Sequence, residues 1–293
     1  MTKPDSLPGT LRRAAPALAA VLALHAPAAP AECLGNKAAP HAYRVDVVPQ
    51  IAPATLFGRW APVLDEIGKA AGLCLELRIA STIPAFEHEL MSGRPDFAFV
   101  NPYHLVMARR AHAYAPLIRD GKVKLSGVLV VHAESGAERL QQLDGQKVAF
   151  PAPNAFAASL LIRAELASRG IRITPVYVKT HANVLRAVAL GDMPAGGAVN
   201  NTLGREPDRL RSQLRVLHET PSYAPHPFVA HPRVPAAQRD KLVLAFMQLA
   251  STAAGQQMLD DIQIPWPVAA DYARDYAPLE QLRLDKFVVA VDD

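Results

Sequence analysis

The run FPAPNAFAASLLIRAEL, Phe150 to Leu166, decides how the chain is read. A short apolar stretch, Val148 to Phe150, stops at two prolines. Asn154 follows, then Ala155, Phe156, Ala157 and Ala158, and then an amphipathic helix. A strand, a tight turn and a helix whose first turn carries little side-chain bulk bring backbone N–H groups close to whatever lies opposite. Those first amides have no partner inside the helix, and the aligned peptide dipoles make that end partly positive. Such an end holds an anion without a lysine or arginine.

Outward from this stretch the same unit recurs. YRVDVV is a strand from Tyr43, and PATLFGRWAPVLDEIGKAAG is a helix with Leu56, Trp60, Leu64 and Ile67 on one face, closed by Gly72. LCLELRIA is a second strand, IPAFEHELMSG a short helix, DFAFV a third strand and NPYHLVMARRAH its helix. LSGVLVVH, at 125–132, is a longer strand. A second series runs QKVAF, the opening helix, ITPVYVK, THANVLRAVALG, AGGAV, NNTLGREPDRL and LRVLHE. The proline-rich PHPFVAHPRV then breaks the rhythm, and helices are expected in PAAQRDKLVLAFMQLASTAAG and AADYARDYAPLEQL.

This alternation implies an α/β fold with parallel sheets covered by helices. Two series joined near residue 130 and again near 228 imply two doubly wound lobes linked by two hinge crossings. The expected division is residues 32–132 plus 229–293 for the first lobe and 133–228 for the second. Residues 1–31 read as a signal peptide: Arg12 and Arg13 precede an apolar stretch from Ala14 to about Ala26, and Ala29-Pro30-Ala31 is a small-residue cleavage site. A permanent anchor needs a longer apolar run, of roughly 18 residues.

Ligands of open parallel sheets sit outside the carboxyl ends of the strands. The turns at those ends all carry good helix caps. Asn101 precedes Pro102 at the first helical position, with Tyr103 next; Asn154 leads the opening turn; Thr180 precedes His181; Thr82 or Ser81 precedes Pro84; Asn200 opens NNTL with Thr202. Any one of these alone is a cap and nothing more. Their recurrence at one topological position in both series points to a shared anion site.

Rival constellations are absent from the sequence. No glycine-rich loop carries the lysine of a nucleotide-binding P-loop, and no GxSxG or HExxH occurs. His226 and His231 have no neighbouring carboxylate or cysteine that completes a metal site, so no metal and no cofactor is expected. The formal net charge is +4, falling to +2 once Lys3, Arg12, Arg13 and Asp5 leave with residues 1–31. Without a basic run and with few aromatics, nucleic acid is not an expected partner. The two cysteines, Cys33 and Cys74, are either a disulfide tying the start of the mature chain to the first lobe or two unpaired thiols.

The succession VPQIAP (48–53), LMSGRPDFAFVNPYH (90–104), LDGQKVAFPAPNAFAASLLIRAEL (143–166), YVKTHANV (177–184) and PHPFVAHPRVP (225–235) resembles the phosphate/phosphite/phosphonate substrate-binding proteins of ABC importers. The likeness spans about residues 43–288. It implies a type II periplasmic binding-protein fold whose lobes close on a phosphorus oxyanion. The anion is then held by helix-terminal N–H groups, hydroxyls, a tyrosine and a histidine. Matched by motif, these are Tyr103, the turn Asn154–Ala158 and His181, with Asn200, Asn201 and Thr202 at a further cleft-facing turn. The resemblance also implies a periplasmic, non-enzymatic monomer that delivers its ligand to an ABC permease in the inner membrane. A ligand-sensing domain partnering a membrane receptor, or an enzyme on the same scaffold, is the alternative.

Two departures bear on the ligand. The phosphate-gripping turn of the better-understood phosphonate binders is rich in serine and threonine, where this chain has alanines. Their nearby carboxylate is replaced by Ala195-Gly196-Gly197-Ala198. The first change keeps the backbone donors and loses the hydroxyl donors; the second argues against an aminoalkyl phosphonate, and Phe156 offers an apolar wall instead.

Overall fold

The computed structural model describes residues 33–290. The expected signal peptide lies outside the described residues. The chain enters through β1 (Cys33–Gly35) and β2 (Ala42–Val47), and α1 (Pro53–Ala71) leads to β3 (Cys74–Ile79). Then come α2 (Ile83–Met91), β4 (Phe97–Phe99), α3 (Pro102–His112) and β5 (Ala115–Asp120). The second lobe holds β6 (Gly127–His132), β7 (Lys147–Phe150), a π-helical turn Phe156–Leu161 running into α4 (Ile162–Ser168), and β8 (Thr174–Tyr177). It continues through α5 (His181–Ala189), β9 (Ala195–Val199), α6 (Asn200–Arg205), α7 (Asp208–Arg211) and β10 (Leu214–Glu219). The chain returns through β11 (Phe228–Ala230), α8 (Ala236–Leu249), α9 (Ala253–Asp261), β12 (Pro267–Ala269) and α10 (Tyr272–Asp275), and ends in 3₁₀ turns at Ala277–Leu282 and Leu284–Phe287.

Local chemistry explains the elements. α1 starts on Pro53, buries Leu56, Trp60, Leu64 and Ile67, and stops at Gly72. Gly72 takes the left-handed conformation at φ 69° that a side chain disfavours. Asn101, Thr180 and Thr82 cap α3, α5 and α2 as the sequence predicts, each side chain accepting from an amide three residues on.

The sheets are mixed rather than parallel. The first runs β1-β3-β2-β4-β11-β5-β12 and the second β10-β6-β9-β7-β8. Parallel pairing is confined to β2 with β3 and β4, and to β7 with β8 and β9. β11 returns antiparallel between β4 and β5, so its start lies at the edge where β4 ends, Phe228 opposite Phe99. Three further points are corrected. β5, in APLIRD, is a strand that the alternation missed. β6, expected to close the first lobe, belongs to the second sheet, so the first crossing is residues 121–126. The C-terminal helix is shorter than AADYARDYAPLEQL, with only Tyr272–Asp275 α-helical.

The second crossing, 220–227, lies beside the first. Leu125 and Tyr223 exchange both backbone hydrogen bonds at 2.9 Å. Asn200 Nδ2 donates to Lys124 O at 2.9 Å, and Thr220 Oγ1 accepts from Gly127 N at 2.9 Å. Two paired segments of this kind bend together, as a hinge between lobes requires. A disulfide joins Cys33 to Cys74, with Cα atoms 5.3 Å apart, and ties β1 to β3.

The lobes are shut. The main apolar cluster contains Trp60, Phe99 and Phe228 of the first lobe and continues without a break into Phe156, Leu160 and Val199 of the second. The second lobe has its own smaller clusters, around Phe150 and Ile162 and around Leu185 and Ala198. Among the described residues no helix is long and apolar enough to cross a membrane.

Candidate functional site

The turn at 155–158 sits down on the second sheet because the strands beneath it offer glycine. A Cβ on Gly127 of β6 would strike the carbonyl oxygen of Ala157, and one on Gly197 of β9 would strike that of Ala158. The small residues of the turn and the glycines of the strands are one packing solution. The first amides to find a helical acceptor are those of Ser159 and Leu160, both on Ala155 O at 2.8 and 3.1 Å. The amides of Phe156, Ala157 and Ala158 precede that bonding.

These residues face a cavity at the seam between the lobes. Ala155, Phe156, Ala157, Ala158, His181 and Val199 line it from the second lobe; Val48, Gln50, Ile83 and Asn101 line it from the first, and Leu125 and His226 from the crossings. Its volume is about 20 Å³, room for about one water, so a ligand enters by opening of the lobes.

The sequence-predicted residues divide into two groups. Asn101, Ala155, Phe156, Ala157 and His181 come together at the cavity. Thr180 stays behind as the cap of α5. Asn154 is not a helix cap: the turn's cap position is Ala155, and the Asn154 side chain turns away. Its Nδ2 donates to Glu87 Oε2 at 2.9 Å and to Val289 O at 2.9 Å, and its Oδ1 accepts from Val289 N at 3.0 Å. Tyr103 packs flat against Phe156, ring centroids 6.4 Å apart, while its hydroxyl donates to Asp285 Oδ1 at 2.7 Å. Burial and that carboxylate hold the phenol well above its usual range. Asn200 braces the hinge, and its own amide bonds Ser126 O at 3.1 Å. Asn201 donates to Gln263 Oε1 at 2.8 Å, and Thr202 is buried within the short α6.

Sequence reasoning missed Gln50 and His226 as lining groups. Gln50 follows β2 at its carboxyl end, the position the sheet rule singles out. His226 precedes β11, and that strand's antiparallel return brings a start, not an end, to the ligand edge.

The polar groups of the cavity are neutral. Burial pushes His181 down to about 4, and burial together with His104 and His181 pushes His226 down to about 3. Gln50 Nε2 lies 3.0 Å from His226 Nε2, which fixes that nitrogen as the acceptor. His181 Nδ1 is buried without a partner. Behind Asn101, His104 Nε2 meets the buried Glu87 at 2.7 Å. Among the described residues no three His, Cys, Asp or Glu side chains cluster as metal ligands do.

Two α/β lobes on paired crossings, shut over a small polar-tipped cavity, define a hinged solute-binding protein of the type II periplasmic class. The family model described as "ABC transporter, phosphonate, periplasmic substrate-binding protein" matches residues 45–276, and the chain belongs to that family. Among solved structures it is similar to PhnD1 from Prochlorococcus marinus in complex with methylphosphonate, at TM-score 0.75 and 16% identity over 85% of this chain and 100% of that one. It is also similar to a binding protein component of an ABC phosphonate transporter from Pseudomonas aeruginosa, at TM-score 0.72 and 19% identity over 84% and 86%. A third is XAC2383 from Xanthomonas citri bound to ATP, at TM-score 0.66 and 17% identity over 85% and 99%. The family is one of transport substrate-binding proteins that work outside the cytoplasm with a membrane permease.

Proposed function

We propose that this chain captures a small phosphorus oxyanion carrying at most a small apolar substituent, methylphosphonate or phosphite before an aminoalkyl phosphonate. One observation carries the reading: residues 156–158, whose amides precede the helical bonding, and His181, whose Nδ1 is buried without a partner, line one cavity at the seam of the closed lobes. The oxyanion accepts from the amides and from imidazole, and its substituent rests among Phe156, Ile83 and Val199. Among the described residues no carboxylate lines the cavity to pair with an amine. Hydrogen bonds to a charged group are worth roughly 1.5–3 kcal/mol each, and closure removes the water that competes for them.

The capture cycle follows. The hinge at 121–126 and 220–227 opens, the anion binds at the helix ends, and the lobes close. The closed form docks on the permease. Residues 1–31 direct export to the periplasm and are removed, and the mature protein acts as a monomer.

The test is a thermal-shift series on the mature chain with methylphosphonate, phosphite, phosphate, aminoethylphosphonate and sulfate. A ligand of the native state raises the melting temperature. Methylphosphonate or phosphite is expected to give the largest rise. A series in which no phosphorus oxyanion moves the transition contradicts the reading.

A further inference from the structure

Among the described residues, the cavity lining includes two imidazoles and two side-chain amides, those of Gln50 and Asn101, and no lysine, arginine, aspartate or glutamate. An anion sealed in such a place meets partial charges only, unless a lining group acquires a full one. His181 and His226 are the groups able to do so. The buried Glu87 behind the cavity is already bonded by His104 and Asn154. His226 is faced by Phe99 of β4, stacked at 5.5 Å, and feels His104 of α3 and His181 of α5.

His226 ends a directional chain of amides. Asn201 Nδ2 donates to Gln263 Oε1 at 2.8 Å, Gln263 Nε2 to Gln50 Oε1 at 3.4 Å, and Gln50 Nε2 points to His226 Nε2 at 3.0 Å. The chain begins on α6 in the second lobe and crosses to the first, so it is complete only when the lobes are together. It is also reversible. Turning each amide over places Gln50 Oε1 against His226, Gln50 Nε2 against Gln263 Oε1, and Gln263 Nε2 against Asn201 Oδ1. That last oxygen is buried and unpartnered as the chain now stands. The reversed chain accepts a proton on His226 Nε2; the present one refuses it.

Resting on the phosphorus-oxyanion reading above, we propose that the site takes up one proton from solution with each oxyanion, stored on His226, and that the Asn201–Gln263–Gln50 chain reverses to receive it. The empty closed site is neutral near pH 7, since burial keeps both imidazoles unprotonated there. The incoming negative charge reverses that preference. Charge then enters the seam as a balanced pair.

The experiment is calorimetric titration of the mature chain with methylphosphonate, above the ligand's second ionisation, in buffers of different ionisation enthalpy. The expected result is an uptake of about one proton per anion, with affinity falling about tenfold per pH unit as pH rises. In His226→Gln, binding is weaker and the uptake drops below half of the parent's. Tight binding by the parent with no proton uptake and a pH-independent affinity overturns the inference and leaves the oxyanion reading standing. Uptake undiminished in His226→Gln places the proton elsewhere and also overturns it. Absence of binding by methylphosphonate and by phosphite overturns both readings. Because the parent's own uptake is decisive, a variant that fails to fold does not rescue the inference.

Discussion

Asn154 of the second lobe and Glu87 of the first meet across the seam, the amide Nδ2 standing 2.9 Å from the carboxylate Oε2. The same amide holds both backbone groups of Val289, and Arg163 on α4 donates to Phe287 O at 2.7 Å. The C-terminal segment is anchored to the first lobe by Asp285, which accepts from Tyr103 and Arg110. It therefore straps the two lobes together beside the cavity.

Asn154→Ala removes the strap's contact through Val289 with the second lobe, leaving that of Arg163, and one donor of a buried carboxylate. Leaving such a group short of a partner costs about 1–3 kcal/mol. The cost falls on the closed form. The expected outcome is weaker methylphosphonate binding and a larger radius of gyration for the ligand-saturated protein in small-angle scattering. Unchanged affinity and dimensions contradict the role.

Tyr103→Phe separates the structural from the ligand-gripping reading of that phenol. Its hydroxyl is committed to Asp285, and the ring does the work at the seam by stacking on Phe156. The variant is expected to lose about 1 kcal/mol in urea denaturation while ligand affinity changes less than about threefold. A drop in affinity of about a hundredfold, some 2.7 kcal/mol, returns the hydroxyl to the ligand.

Gly197→Ala tests the seat of the 155–158 turn. The new methyl meets the Ala158 carbonyl oxygen and the Phe150 ring, neither of which is a loose side-chain end. Overpacking of this kind costs about 1–3 kcal/mol. The denaturation midpoint and the binding affinity are expected to fall together, because the displaced atoms belong to the 155–158 turn. A variant of parental stability removes the close approach as a constraint.

The two neutral imidazoles make acid destabilising. Folded-state values of about 4 and about 3 lie below the ordinary 6.5, so the unfolded chain binds more protons as pH drops. Their contribution is complete above about pH 6.5 and is lost as pH falls through the folded values, at up to about 1.4 kcal/mol per pH unit for each. Urea midpoints of the ligand-free protein between pH 7.5 and 5 should fall more steeply than those of the double variant His181→Gln, His226→Gln. Parallel slopes contradict the neutral, buried assignment.

Reduction of the Cys33–Cys74 bond is expected to cost on the order of 4 kcal/mol, from the entropy of the 41-residue separation it closes. The bond lies on the far strands of the first sheet, β1 and β3, and not among the cavity residues. Reduced protein should therefore melt earlier and bind methylphosphonate with unchanged affinity below its melting range. A large loss of affinity at full folding contradicts that separation.

Much of this fold is legible in the sequence, because each unit announces itself twice. Asn101-Pro102 and Thr180-His181 mark helix starts, and the apolar face of α1 marks its buried side. The turn 155–158 was legible from its lack of bulk. What escaped was non-local. β11 is three residues inside a proline-rich stretch, and only its partners β4 and β5 make it a strand. Asn154 looked like a cap because asparagine before a helix is one. Its amide is drawn off by Glu87 and Val289, 67 and 135 residues away. Gln50 and His226 lie in recognisable motifs, yet the seam that gives them a role is a tertiary object.

The most direct measurement is a crystal structure of the mature chain grown with methylphosphonate. The phosphorus density is expected at the seam, with oxygens within hydrogen-bond distance of the amides of 156–158 and of His181 Nδ1, and the methyl group toward Phe156. An anion bound elsewhere, or a seam that stays closed on itself beside a saturating ligand, contradicts the account.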